Sequence, residues 1–361
     1  MHLAHPQRPS SISPARAASP LVRSRVLPAT LLAAPLLLAT SAGAQVHAWG
    51  DNTYGQLNAP GITQVSAVSA GGLHSVAIHA CGTVVCWGDN TFGQATAPAT
   101  LALATAVAAG YHHSVAIDGA GGIVCWGDNT YGQLNAPTGV ALQISAGAFH
   151  SAALTPTGVV CWGNNTFAQC TVPASIGIPT AVAAGGLYTL SLDASGRVYG
   201  WGDNQYGQTG ITPLFMAGIS AGFAHAIAYD GAGNVIAWGD NSRGQCNVPA
   251  GLTGVVGVSA GGQHSLALLA NGSVVAWGNN ASGQVVVPAG IGTIAGLSAG
   301  FGHSVAFNDC PADLDGDGVV SANDLATMLS GWATGAGDLD CDGIVGGADL
   351  GILLSAWGAC P

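Results

Sequence analysis

The 361-residue sequence contains no lysine and no glutamate, and only 6% of it is charged. All seventeen acids are aspartates, and four of the six arginines (Arg8, Arg16, Arg23, Arg25) fall in the first 25 residues. Beyond residue 44 two arginines, Arg197 and Arg243, face all seventeen aspartates, a balance of −15. Phosphate backbones are held by clustered Lys and Arg, so a nucleic-acid-binding surface is excluded. No apolar run is long enough to span a bilayer: the one candidate, from Val26 to Ala39, is short and broken by Pro28 and Pro35. Low charge does not mean disorder here, because 49% of the residues are hydrophobic and tryptophans recur at regular intervals, as in a packed core.

The first 44 residues read as an export signal. A basic stretch ends at Arg25, an apolar segment follows, and Ala42-Gly43-Ala44 offers a small-residue cleavage site. The mature chain is therefore expected to be secreted or displayed on the cell surface, with no membrane span.

Internal repetition dominates residues 45–308. Trp-Gly occurs at Trp49, Trp87, Trp126, Trp162, Trp201, Trp238 and Trp277, in steps of 36 to 39 residues. Each copy continues as W-G-[D/N]-N-x-x-[G/A]-Q, and a second motif, A-G-x-x-[H/Y], ends at His74, His113, His150, Tyr188, His225, His264 and His303. Alternating residues and Gly-rich turns predict three short strands per unit. One such sheet cannot bury both faces, whereas seven arranged radially can, each tryptophan packing on the neighbouring blade. A buried indole removes about 150–250 Å² from water, worth about 4–6 kcal/mol gross. The repeat begins with a lone third strand (Val46 to Trp49) and ends with a lone second strand (Ser304 to Phe307). Pairing them would leave no open edge. The expected fold is all-β: a seven-bladed β-propeller closed by the N-terminal strand.

These motifs resemble the regulator-of-chromosome-condensation repeat family, and the short step is most similar to compact bacterial members such as the propeller-type β-lactamase inhibitor proteins. Eukaryotic members act as nucleotide-exchange factors or chromatin binders. The export signal and acidic balance speak against both roles here.

The propeller motifs read as scaffold rather than chemistry. Histidines recurring once per blade are expected to bond backbone at the strand entry. Asp51, Asp89, Asp128, Asp203 and Asp240 share one position, where an Asx side chain caps its own turn; Asp118, Asp193 and Asp230 occupy hairpin turns. Those eight are every carboxylate in the propeller, and glycosidic cleavage needs two carboxylates in different environments. A non-enzymatic reading follows. The rival is a polysaccharide-degrading component, and a third reading is a purely structural surface protein. Tyr54, Phe92, Tyr131, Phe167 and Tyr206 share one loop position, with Arg243 in the sixth copy. They would form either an arc of anchors for a protein or glycan partner or rings that fill gaps between blades.

Composition shifts at Asp309. Residues 309–361 hold nine aspartates and no base, in two loops 25 residues apart. The first places Asp313, Asp315, Asp317 and Asp324 at positions 1, 3, 5 and 12, with Val319 at 7 and Ser321 at 9. The second places Asp338, Asp340, Asp342 and Asp349 likewise, with Ile344 and Gly346. A hard divalent cation takes six to eight oxygens, and this spacing supplies them, so two calcium ions are expected. After each loop an apolar stripe predicts a short helix: Leu325, Met328, Leu329, Trp332 and Leu350, Leu353, Leu354, Trp357. The two stripes are expected to pack together in pseudo-twofold fashion. This small α-helical loop–helix duplicate resembles a type I dockerin module. The resemblance implies a cohesin-like partner in an extracellular assembly, read by positions 10 and 11 of each loop. These are often Ser-Thr, but here they are Ala322-Asn323 and Gly347-Ala348. Cys310 and Cys360 bracket the module, and a disulfide between them is one of three pairings that leave a third cysteine, here Cys341, over. Cys81, at a hairpin turn, has no evident partner. Cys86, Cys125 and Cys161 read as small buried residues rather than metal ligands, and Cys170 and Cys246 as too far apart to bond.

Overall fold

A computed structural model describes residues 46–62, 64–210, 215–308, 310, 312–315, 319–334 and 337–359. The export-signal segment, Asp317 and Cys360 lie outside the described residues. The repeat folds as seven three-stranded antiparallel sheets. The first three are β2 (Val65–Ala70), β3 (His74–His79) and β4 (Val84–Gly88); β5 (Ala104–Ala109), β6 (His113–Asp118) and β7 (Ile123–Gly127); β8 (Gln143–Ala146), β9 (His150–Thr155) and β10 (Gly158–Gly163). Next come β11 (Pro179–Ala184), β12 (Tyr188–Asp193) and β13 (Val198–Gly202); β14 (Met216–Ala221), β15 (His225–Asp230) and β16 (Val235–Gly239); β17 (Val255–Ala260), β18 (His264–Leu269) and β19 (Val274–Gly278). The seventh joins both ends of the repeat: β20 (Ile294–Ala299), β21 (His303–Asn308) and, as its third strand, β1 (Val46–Gly50), with Val46 opposite Phe307 and Gly50 opposite His303. The ring is thus closed by hydrogen bonds, and the expected strand exchange is present.

Three sets of contacts tie each blade to the next. Every blade tryptophan is at least nine-tenths buried, and its indole N–H donates to the main-chain carbonyl of the preceding unit's glutamine: Trp87 to Gln56 (2.8 Å), Trp126 to Gln94 (2.9 Å), and, across the closure, Trp49 to Gln284 (2.7 Å). Five serines on the inner strands accept the N–H of an alanine in the next blade, as Ser69 does from Ala109 (2.9 Å). At one end of the channel the backbones form a complete ring of seven bonds, from Gly72 to Gly110, Tyr111 to Gly147, Ala148 to Gly185, Gly186 to Gly222, Phe223 to Gly261, Gly262 to Gly300 and Phe301 back to Gly71. The glycine of A-G-x-x-[H/Y] follows from that approach: a Cβ on Gly147 would stand 2.2 Å from the Gly185 carbonyl oxygen.

The recurring histidines correct one expectation. They bond a side chain in the next blade, not backbone at the strand entry. His74 Nε2 meets Ser114 Oγ (2.8 Å), His113 meets Ser151 (2.8 Å), His150 meets Thr189 (2.9 Å), His225 meets Ser265 (3.0 Å), His264 meets Ser304 (2.7 Å) and His303 meets Ser75 (2.9 Å). The hydroxyls of Ser114, Thr189 and Ser265 themselves donate to a glutamine carbonyl, so they must accept from an Nε2–H, leaving Nδ1 as a bare acceptor. Burial holds these rings neutral, lowering His74, His150 and His264 to about 3 and His113, His225 and His303 to about 4. Tyr188 replaces histidine in the fourth blade, and its hydroxyl donates to the His225 carbonyl (2.5 Å). The position that receives a histidine elsewhere is there Ala226, with no hydroxyl.

The tail forms its own small core of Cys310, Ala312, Leu314, Val320, Met328, Val345 and Leu353. It holds β22 (Val319–Val320), α1 (Ala322–Ser330), α2 (Gly347–Ser355) and β23 (Gly358–Ala359). Each loop's short extended stretch pairs beyond the other loop's helix: Val320 with Gly358, and Val345 with Trp332. The stripes pack less completely than expected. Met328 and Leu353 are buried, but Leu329, Trp332, Leu354 and Trp357 are about half exposed, and the two tryptophans lie beyond the ends of their nine-residue helices. A second correction concerns cysteine. Cys81 and Cys341 form a disulfide with Cα atoms 5.4 Å apart, 260 residues apart in sequence. It ties the hairpin turn of the first blade to the second acidic loop. Cys310 is also disulfide-bonded, whereas the Cys360 end of the expected staple lies outside the described residues. Cys86, Cys125, Cys161, Cys170 and Cys246 are free. Among the described residues no helix is long and apolar enough to cross a membrane.

Candidate functional site: an aromatic propeller face

The strand registers sort the loops into two faces. His74 pairs with Gly88, so the W-G-[D/N]-N loops and the A-G-x-x-[H/Y] turns share one end of every blade. The hairpin turns, Cys81 among them, lie at the other end, as does Asn308, from which the tail departs. The tail is therefore attached to one face and leaves the other free.

On the free face each loop closes on itself. Asp51 Oδ1 accepts the Thr53 N–H and hydroxyl, its Oδ2 accepts from Gln56 Nε2 (3.0 Å), and Gln56 Oε1 accepts the Tyr54 N–H (2.8 Å). Asn52 Oδ1 accepts the Leu57 N–H (2.9 Å). The same bonds recur around Asp89, Asp128, Asp203 and Asp240. In the fourth copy Asn164 does the work of the aspartate, accepting from Thr166 and Gln169. On the opposite face Asp118, Asp193 and Asp230 accept N–H groups of their own hairpin turns. All eight propeller carboxylates are thus engaged in local turns.

This loop geometry pushes the aromatic residue outward. Tyr54, Phe92, Tyr131, Phe167 and Tyr206 are each close to 50% exposed, and Arg243 is exposed at the sixth position. They do not fill gaps between blades. The structure adds a set of rings that sequence reasoning missed: Tyr111, His112, Phe149, Phe223 and Phe301, in the variable positions of A-G-x-x-[H/Y]. Tyr111 and Phe301 meet at 5.4 Å between centroids, Phe223 and Phe301 at 5.5 Å, both edge to face. They stand around a shallow cavity of about 80 Å³ at the channel mouth. Phe149 reaches from Tyr111 (6.2 Å) to Tyr131 (5.5 Å), and His112 from Tyr111 (4.7 Å) to Phe92 (4.9 Å), so mouth and outer arc form one surface. A pairing in the sequence carries the signal: Tyr111, Phe223 and Phe301 each follow, one unit later, a glycine (Gly72, Gly186, Gly262). A Cβ on that glycine would stand 2.9 to 3.2 Å from the ring. The acidic loops leave their mark on the electrostatics. Burial lowers His112 against the pull of Asp89 and Asp128, with Asp89 Oδ2 at 3.8 Å from Nδ1.

In the tail, oxygens of Asp313, Asp315 and Asp324 lie within 4.8 Å of one another, as do those of Asp338, Asp340 and Asp342. Asp349 stands outside the second group. Its Oδ1 accepts the N–H of Leu339 (2.7 Å) and Asp340 (3.1 Å), and its Oδ2 that of Gly346 (2.6 Å). Burial works to raise the Asp349 pKa, but these bonds outweigh it and hold the carboxyl below its ordinary value. Asp324 makes the equivalent bonds to Leu314, Asp315 and Ser321 while remaining in the first group. Asp338 is 8% exposed; its Oδ2 accepts the Gly343 N–H (2.8 Å), and its Oδ1 is buried with no partner. Desolvation and the neighbouring carboxylates of Asp342, Asp349 and Asp338 raise Asp340. A buried orphan oxygen beside two further carboxylates is the donor set a hard cation satisfies. At the expected recognition positions, Asn323 is exposed in the first turn of α1, and Ala322, Gly347 and Ala348 open α1 and α2.

Comparison with known proteins places the repeats. A family model, the regulator of chromosome condensation (RCC1) repeat, matches residues 65–94, 104–133, 142–169, 180–208, 217–245 and 255–284. No curated protein matches the chain. Among solved structures, Prp20p of Saccharomyces cerevisiae, a protein with binding properties to Gsp1p and histones, is 17% identical over 74% of this chain and 92% of its own, with a TM-score of 0.61. Human WBSCR16 is 18% identical, covering 69% and 88%, with a TM-score of 0.58. The ectodomain of the Arabidopsis thaliana receptor kinase ACR4 is 22% identical, covering 66% and 91%, with a TM-score of 0.53. These similarities concern the propeller fold.

Proposed function

From the premise that the repeats of this chain are RCC1 repeats, we propose that it is an exported, non-enzymatic binding protein. Its aromatic propeller face holds a protein or glycan partner. Its tail takes two calcium ions and anchors the molecule in an extracellular or cell-surface assembly, through a cohesin-like module or its equivalent.

The observation that carries this reading is the continuous surface of half-exposed rings on the face left free by the tail. Aromatic side chains are the usual anchors of protein contacts, and contiguous exposed apolar surface marks an interaction site. The engagement of all eight propeller carboxylates in their own turns argues against acid–base chemistry there. For the tail, the orphan Asp338 oxygen supports the calcium reading.

The test is affinity capture from native secretions by the full chain, with and without a calcium chelator. A Tyr54→Ser, Tyr131→Ser, Tyr206→Ser triple variant should stay folded and lose propeller-dependent capture. Chelation should abolish tail-dependent capture only. Capture unchanged by both would refute the reading.

A further inference from the structure

The aromatic face carries information about its partner's chemistry. Its rings do not share a plane. Tyr111 and Phe301 are inclined at 79°, Phe223 and Phe301 at 83°, and Tyr131 and Phe149 at 62°. A run of pyranose rings stacks on an extended flat aromatic platform, and rings set edge to face at the mouth do not form one. Sugar recognition also uses side-chain amides, and those of Asn52 and Gln56 are already engaged within the loop. What the face does offer is a depression lined by apolar rings and backbone, with a ring of negative charge around it. Five aspartates, Asp51, Asp89, Asp128, Asp203 and Asp240, stand on this face against the single Arg243. Their turn bonds hold the carboxylates in place without neutralising them.

We infer that, within the binding role proposed above, the channel mouth is a socket for a lysine- or arginine-bearing peptide segment of a protein partner. The aliphatic stem lies among Tyr111, Phe223 and Phe301, where ring faces also attract the cation, and the charged head meets the aspartate collar. Charge complementarity excludes acidic segments and anionic polysaccharides from the same socket.

The experiment measures binding of three soluble probes to the full chain: a lysine–leucine peptide, its glutamate–leucine counterpart and a cello-oligosaccharide. The lysine peptide should bind, and binding should weaken as salt is raised. Phe301→Ala removes the ring that touches both Tyr111 and Phe223, and should weaken binding at least about 30-fold, the loss expected for an anchor side chain. A second variant, Asp128→Asn with Asp203→Asn, keeps the turn acceptors, as native Asn164 shows. It should weaken the lysine peptide several-fold and leave the fold intact. Binding of the glutamate peptide or the oligosaccharide with equal affinity would overturn the inference, as would lysine-peptide binding indifferent to both variants. If the face captures a partner that the lysine peptide does not displace, this inference fails and the binding role stands. If nothing is captured at the face, the binding role itself fails.

Discussion

Acid should unfold this propeller at an unusually mild pH. Six histidines, His74, His113, His150, His225, His264 and His303, are fully buried and neutral, with values of about 3 or about 4. In the unfolded chain each titrates near an ordinary value of about 6.5. Between those limits the unfolded state binds more protons, so stability rises with pH. Their contribution is fully present above about pH 6.5 and is lost as pH falls toward the folded values. At about pH 5.5 each histidine costs about 1.4 kcal/mol, and six cost about 8 kcal/mol. A domain has about 5–15 kcal/mol in total, so most or all of the margin disappears. Aspartates do not blur the window, since their unfolded value lies near 3.9. His47, His79 and His112 are also lowered but partly exposed, and add less. The assay is urea unfolding followed by tryptophan fluorescence from about pH 7.5 to about pH 5.5. The slope of stability against pH should approach about six protons near the lower end. A His150→Tyr, Thr189→Ala double variant copies the native Tyr188 and Ala226 pairing, and should lower that slope by about one proton. A stability loss below about 2 kcal/mol across the window, or an unchanged slope in the double variant, would refute the reasoning.

Three further outcomes are expected. Gly147→Ala drives a Cβ to 2.2 Å from the Gly185 oxygen and should cost about 3 kcal/mol or more in chemical denaturation, while Gly119→Ala, whose nearest neighbour is 3.7 Å away, should be near neutral. Replacing Cys81 and Cys341 together by serine should lower stability by about 2–4 kcal/mol and make the tail separately cleavable in limited proteolysis. Calorimetric titration should count two calcium ions per chain, and Asp338→Asn should leave one; calcium at a thousand times its dissociation constant should add about 4 kcal/mol to the stability of the tail.

The repeat was legible because its signals are local. Strand alternation, the Asx turn at Asp51 and the glutamine that ties it are set within a few residues, and seven copies make the period plain. Ring closure was legible for the same reason, since the phase of the repeat leaves β1 alone and the β20–β21 pair without a third strand. The histidine partners were half written: the one unit with tyrosine, Tyr188, is followed one repeat later by the one unit without a hydroxyl, Ala226. That pairing has meaning only once neighbouring blades are in contact. The aromatic mouth was hidden because the first variable position of A-G-x-x-[H/Y] is aromatic in only three of seven units (Tyr111, Phe223 and Phe301), with Phe149 at the next position, and only the channel brings them together. The Cys81–Cys341 bond lay furthest from reach. A thiol's partner is decided by where two chain segments meet in space, and spacing along the sequence says nothing about which face of the propeller the tail will lie against.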